Sequence, residues 1–130
     1  MNLQLRKIFA VMLTGIWVNA CEFLRNEILL KTYWVEHYQS LGMTFPSAPT
    51  NGMLWVAWGF LFAIAIYMIS RKFNLIQTTL ISWFVAFVLM WVVIWNLNVL
   101  PSVILIYAVP LSLLESCIGS YICIRMSPND

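Results

Sequence analysis

Four long apolar runs make up most of this chain, and each is long enough to cross a lipid bilayer as a helix. They cover residues 8–30, 53–69, 75–95 and 103–124. A spanning helix needs about 20 mostly apolar residues. The runs are continuous rather than alternating, which excludes a membrane β-barrel. The sequence therefore predicts an all-α, integral membrane four-helix bundle that forms one domain over residues 1–130.

The composition excludes several other classes of protein. Hydrophobic residues make up 62% of the chain and charged residues only 9%, whereas soluble domains are roughly 45–50% apolar and about 25% charged. Such a chain cannot cover a water-facing surface, which excludes a soluble globular enzyme. Intrinsic disorder requires low hydrophobicity, and a nucleic-acid partner requires a dense basic face. We therefore expect neither.

Basic residues mark one side of the predicted bundle. Arg6 and Lys7 precede the first run, Arg71 and Lys72 lie between the second and third runs, and Arg125 follows the fourth. Under the positive-inside rule, both termini and the turn at Arg71 are cytoplasmic. From the same bias we expect a bacterial inner membrane or a plasma membrane.

The first helix is predicted to extend past the membrane on the outer side. Residues 31–41 keep helical character and alternate aromatic with polar side chains, which is typical of a helix leaving the bilayer through the headgroups. Gly42 is a stop signal for this extension. Two prolines make residues 45–51 a coil, in which Thr50 or Asn51 can cap the second membrane helix.

Five tryptophans fall near the predicted outer boundary: Trp34, Trp55, Trp58, Trp91 and Trp95. Tryptophan is enriched where a membrane protein meets the headgroup region. We interpret these side chains as an interfacial belt in preference to a surface on which a ligand stacks.

A cleavable signal is an alternative interpretation of the first run. Arg6 and Lys7, followed by an apolar stretch that reaches Cys21, have the outline of a signal with a lipid-modified cysteine. Asn19 departs from the small or apolar residue that is usual two positions before such a cysteine, so a permanent first helix is favoured. Removal of residues 1–20 would leave three crossings.

Polar side chains at membrane depth are the strongest functional signal, because each ionisable group costs several kcal/mol unless it is paired or solvated. At about 100° per residue, one stripe on the first helix contains Gly15, Asn19, Glu22, Asn26, Tyr33 and His37. A second face, on the fourth helix, contains Ser112, Glu115, Ser116, Gly119 and Cys123. We expect the two faces to meet, with Asn19 and Glu115 at a similar depth.

The two carboxylates of these faces differ in their local partners. Arg25 and Asn26 follow Glu22 by three and four residues, so Glu22 can be satisfied within its own helix. No basic residue lies near Glu115 on its own helix. Glu115 is therefore either neutral or paired across the bundle with Arg25, and the sequence is consistent with both.

No cofactor or metal is expected. His37 is the only histidine and lies outside the apolar core, and one histidine cannot bind a metal alone. Cys21, Cys117 and Cys123 match neither a redox CxxC motif nor a zinc pattern, and we interpret them as small apolar filler. No lysine lies in a membrane core to form a Schiff base with retinal.

Three functions are compatible with these features. In the first, a pocket built on Asn19, Glu22 and Glu115, with Arg25 and Asn26 beside them, binds or transports a small solute or protons. In the second, the chain is an accessory or scaffold subunit of a larger membrane complex. In the third, it is a membrane enzyme that acts on a lipophilic substrate with Glu22 and Glu115 as acid and base, but no nucleophile–base pair supports this. The expected partners are the lipid bilayer, a small solute or proton, and a second copy or a larger membrane protein, with no nucleic acid.

Overall fold

The computed structural model describes residues 1–128, and this part of the chain is helical, with no strand. Four of its helices are long and apolar enough to cross a membrane. The helices are α1 (Leu3–Leu29), α2 (Lys31–Ser40), α3 (Pro49–Ser70), α4 (Leu75–Asn96) and α5 (Leu105–Met126), the last preceded by a 3₁₀ turn at Ser102–Ile104. The predicted all-α class and the four apolar helices are thus confirmed.

Two helices, α1 and α3, begin earlier than their apolar runs, because hydrogen bonding continues into the polar flanks. Asn2 precedes α1, and its side chain accepts a hydrogen bond from the backbone N–H of Leu5 at 2.9 Å. At the start of α3 the prediction of a cap at Thr50 or Asn51 is wrong. Pro49 is already helical, and Asn51 instead accepts from the N–H of Ala48 at 3.1 Å.

The predicted extension of the first helix is present as a separate helix. Leu30, with φ −112° and ψ 3°, interrupts the helical backbone between α1 and α2. The stop at Gly42 is confirmed, since its φ of 72° is the left-handed conformation that glycine adopts without steric penalty. The N–H of Met43 then donates a hydrogen bond to the carbonyl of Tyr38 at 3.0 Å, at the end of α2.

Two membrane-length helices contain a π-helical segment, which the sequence analysis did not anticipate. In α1 it covers Leu24–Leu29, and in α4 it covers Phe84–Val88. The segments meet across the bundle, where the guanidinium carbon of Arg25 lies 5.3 Å from the ring centroid of Phe87. Such interruptions of the α-helical hydrogen bonds frequently occur at functional sites.

The polar face of α5 is buried along its whole length, as predicted. It meets the predicted stripe of α1 at Glu22, which shares the partner Arg25 with Glu115, but its other contacts come from residues beside the stripe. The hydroxyl of Thr14 contacts the sulfur of Cys123 at 3.3 Å, and the indole N–H of Trp17 donates to the carbonyl of Glu115 at 3.0 Å. The stripe residue Asn19 turns instead toward α3. The side of α1 that faces α5 is therefore rotated from the one that the stripe indicated.

Two ends of the bundle can be distinguished. At the terminal end, Arg6 donates to the carbonyl of Met126 at 3.1 Å, and Arg71 donates to the carbonyls of Cys123 (3.1 Å) and Ser127. The carbonyls of Met126 and Ser127 lie at the end of α5, where no further helical N–H follows, whereas that of Cys123 also accepts from the N–H of Ser127 at 3.2 Å. Arg6 at the start of α1 and Arg71 after α3 therefore lie at the same end of the bundle, as the placement of the basic residues in the sequence predicted. We call the opposite end, with residues 41–48 and 97–101, the distal end.

The distal end is covered by α2 and the segment that follows it. Phe45 packs on Trp34 and Tyr38, with ring centroids 5.9 and 5.2 Å apart. The ring Nε2 of His37 donates to the carbonyl of Asn98 at 2.7 Å, which ties α2 to the turn between α4 and α5. His37 thus packs against a loop, away from the apolar core.

Candidate binding site

A buried ion cluster joins α1 to α5. Arg25 donates from Nη1 to Oε1 of Glu115 at 3.2 Å and from Nη2 to Oε1 of Glu22. Glu22 and Arg25 are only 6% and 5% exposed, and Glu115 is fully buried. Of the two alternatives that the sequence left open for Glu115, the structure has the contact with Arg25 across the bundle.

The ion cluster contains more acidic than basic groups. One guanidinium binds two carboxylates, so the three groups carry a charge of −1 when all are ionised. Oε2 of Glu115 has no hydrogen-bond partner among the described residues. An unpaired buried carboxylate oxygen is unfavourable. The cluster therefore favours an additional positive charge nearby, from a proton or from a cation.

A hydrogen-bonded chain leads from the ion cluster toward the distal end. Asn26 donates to Oε2 of Glu22 at 3.0 Å, and the indole N–H of Trp34 donates to Oδ1 of Asn26 at 3.2 Å. The short-range partners that the sequence suggested for Glu22 are both present. This chain fixes the orientation of Glu22, because each of its carboxylate oxygens has a donor.

Asn19 is not part of this cluster. Its amide donates to the carbonyl of Gly15 at 2.9 Å and to that of Val56 on α3 at 3.4 Å. Gly59 of α3 faces it, and a Cβ there would lie 2.6 Å from the Asn19 nitrogen. Asn19 therefore supports the close approach of α1 and α3. It also lines a side cavity of about 600 Å³, together with Glu22 and Asn26.

An aromatic cavity of about 380 Å³ opens at the distal end. Its polar groups include Glu22, Arg25 and Asn26. Its aromatic lining consists of Trp34, Tyr38, Phe45, Trp55, Trp58, Phe87 and Trp91. Small-molecule sites are typically concave, about 300–1,000 Å³ in volume, and mostly apolar with a few polar groups. The aromatic cavity has these properties.

The tryptophans were not predicted as cavity residues from the sequence. Of the five assigned to an interfacial belt, four line the aromatic cavity, whereas Trp95 is 65% exposed on the outside of α4. The spacing of three between Trp55 and Trp58 was an available signal, because it places both indoles on one side of α3. Their rings meet edge to face, 6.1 Å apart.

Buried hydroxyl groups continue from the ion cluster toward the terminal end. They belong to Thr14 on α1, Thr78 and Ser82 on α4, and Ser116 and Ser120 on α5. The hydroxyls of Ser82 and Ser116 have no hydrogen-bond partner within residues 1–128. The half of the bundle between the cluster and the terminal end thus buries several hydroxyl groups among apolar side chains such as Ala10 and Ile66.

No protein-family model matches the chain, and neither a curated protein nor a solved structure matches it.

Proposed function

We propose that this chain is a membrane protein, with both termini cytoplasmic, that binds a small solute in the aromatic cavity and carries it across the bilayer. The observation that carries the proposal is the position of the ion cluster. Glu22 and Arg25 are almost fully buried between apolar helices, yet both line a cavity of about 380 Å³ that opens at the distal end. Ionisable groups at membrane depth mark solute and proton pathways in membrane proteins.

Transport is supported by the residues that lie between the cavity and the terminal end of the bundle. The π-helical segments Leu24–Leu29 and Phe84–Val88 supply Arg25 and Phe87 of the cavity lining. Separation of these two segments would join the cavity to the buried hydroxyls of the terminal half. A solute bound at the distal end would then meet these hydroxyl groups on its way to the opposite side, and the apolar outer surface offers no such groups.

The binding test uses two neighbouring positions on α4. Ile94 lines the aromatic cavity, whereas Val93 is exposed on the outer surface and does not line it. In dodecyl maltoside, a panel of cationic, neutral and anionic aromatic solutes is titrated by calorimetry into the parent protein and into the two variants. We expect Ile94→Trp to weaken solute binding at least about tenfold because it fills the cavity. Val93→Trp should bind like the parent.

The transport test uses liposomes that contain the same proteins. Liposomes that contain the parent or Val93→Trp should take up a bound solute. Liposomes that contain Ile94→Trp should take up less of it. If no solute of any charge binds to the parent, the proposal is wrong and the accessory-subunit interpretation is favoured. Binding without uptake would refute the transport step alone.

A further inference from the structure

On the basis of the proposed function, we propose that the solute is an organic cation, an ammonium group carrying apolar substituents. The aromatic cavity places several indole rings beside carboxylates that outnumber their cationic partners. This juxtaposition suits a ligand that is positively charged but poorly hydrated.

The charges around the cavity favour a cation. Glu22, Arg25 and Glu27 line the cavity, Glu115 binds Arg25 from outside the lining, and Lys31 binds Glu27 at 3.1 Å. Three carboxylates therefore face two cations, which leaves a charge of −1 when all five are ionised. Both cations already have carboxylate partners. An anionic ligand would meet this negative charge and would have to compete for these cations.

The aromatic walls already hold cationic side chains. The Arg25 guanidinium lies 5.3 Å from the centroid of Phe87, and the Lys31 ammonium lies 4.9 Å from that of Phe45. Cations within about 6 Å of a ring centroid are attracted by the negative face of the ring, and tryptophan attracts them most strongly. The indoles of Trp55, Trp58 and Trp91 line the same cavity, which places further rings of this kind within reach of a bound cation.

The walls also argue against an inorganic cation. Metal and alkali ions need several oxygen ligands to replace their water, whereas this lining is mainly aromatic and aliphatic. A quaternary ammonium needs no hydrogen-bond acceptor, because its charge is spread over apolar groups that pack directly on aromatic rings. The cavity therefore suits an organic cation better than a hydrated metal ion.

The test compares three ligands of similar size and different charge. They are benzyltrimethylammonium, its neutral analogue neopentylbenzene, in which carbon replaces nitrogen, and the anion benzylsulfonate. Calorimetry is performed in dodecyl maltoside, so that no choline or charged lipid headgroup competes for the site. We expect the cation to bind at least about tenfold more tightly than either analogue.

Matched variants locate the source of this preference. Glu22→Gln removes a cavity carboxylate, and Glu36→Gln removes an exposed carboxylate on α2 that does not line the cavity. We expect the first to weaken cation binding at least about tenfold and the second to have no effect. Trp55→Leu, compared with Trp95→Leu outside the cavity, should weaken cation binding several-fold. The Trp55 side chain is partly exposed, so this pair tests the cavity even if Glu22→Gln does not fold.

The outcomes separate this inference from the proposed function. If benzylsulfonate or neopentylbenzene binds as tightly as the cation, solute binding stands and the cationic class is wrong. The cationic class is also wrong if Glu22→Gln, folded as judged by circular dichroism, binds the cation like the parent. If none of the three ligands binds, both proposals fail.

Discussion

Removing the guanidinium of Arg25 should be among the most destabilising single changes in this chain. Arg25 binds two carboxylates that are almost completely buried. Glu22 is 6% exposed and Glu115 is 0% exposed. Arg25→Met keeps an unbranched side chain that suits a helix, but it leaves two buried negative charges without a counter-ion. The helices around them would be unchanged, so the loss of stability would report on the charges.

The magnitude follows from the contacts. Removing one partner of a buried ion pair destabilises a protein by about 3–5 kcal/mol, because the other charge is left uncompensated. The lost contact of Arg25 with the ring of Phe87 adds roughly 1 kcal/mol. We therefore expect Arg25→Met to lower the free energy of unfolding by about 4–6 kcal/mol.

The assay is reversible unfolding in dodecyl maltoside by titration with dodecyl sulfate, followed by far-ultraviolet circular dichroism. The matched control is Lys31→Met, which breaks the ion pair with Glu27. Those side chains are 29% and 46% exposed, so the change should cost less than about 1 kcal/mol. Equal losses for the two variants would refute the argument that burial of the ion cluster makes Arg25 important.

A rescue variant tests whether unpaired charge is the cause. Combining Arg25→Met with Glu22→Gln and Glu115→Gln removes all three charges together. Replacement of a whole buried ion cluster is often close to neutral, so we expect stability within about 2 kcal/mol of the parent. If the triple variant is as unstable as Arg25→Met alone, the loss comes from packing around Arg25.

Three further changes test the packing and the helix ends by the same unfolding assay. Gly59→Ala should cost about 1–3 kcal/mol, because its Cβ would lie 2.6 Å from the Asn19 amide nitrogen; no loss would show that α1 and α3 can separate freely. Gly52→Ala, where nothing lies within 4 Å of the new Cβ, should instead stabilise α3 by up to about 1 kcal/mol, and a loss there would contradict the open space around it. Asn74→Ala should cost about 1 kcal/mol, because the side chain caps α4 by accepting from the N–H of Gln77 at 2.9 Å; an unchanged stability would mean that water replaces this cap.

Some of the site could be read from local spacing. The contacts of Glu22 with Arg25 and Asn26 join residues three and four positions apart, and helical geometry brings such residues together in most contexts. The pairing of Arg25 with Glu115 was one of two alternatives, because a contact across the bundle depends on how the helices are rotated. Asn19 shows the limit of this reasoning. Its spacing places it on one stripe with Glu22, but the rotation of α1 in the bundle turns Asn19 toward α3, beside Gly59.

The sequence by itself determined the four apolar helices, the clustering of basic residues at one end, the break at Gly42 and the buried polar face of α5. Each of these depends on local composition or on residues close together in the chain. Only the tertiary structure decided the rest: the partner of Glu115, the aromatic cavity and the meeting of the two π-helical segments at Arg25 and Phe87. The physical reason is that a helix with a long enough apolar run can span hydrocarbon whatever its rotation about its own axis. A cavity requires particular side chains from several helices to face one another, and close packing among all of them sets those rotations.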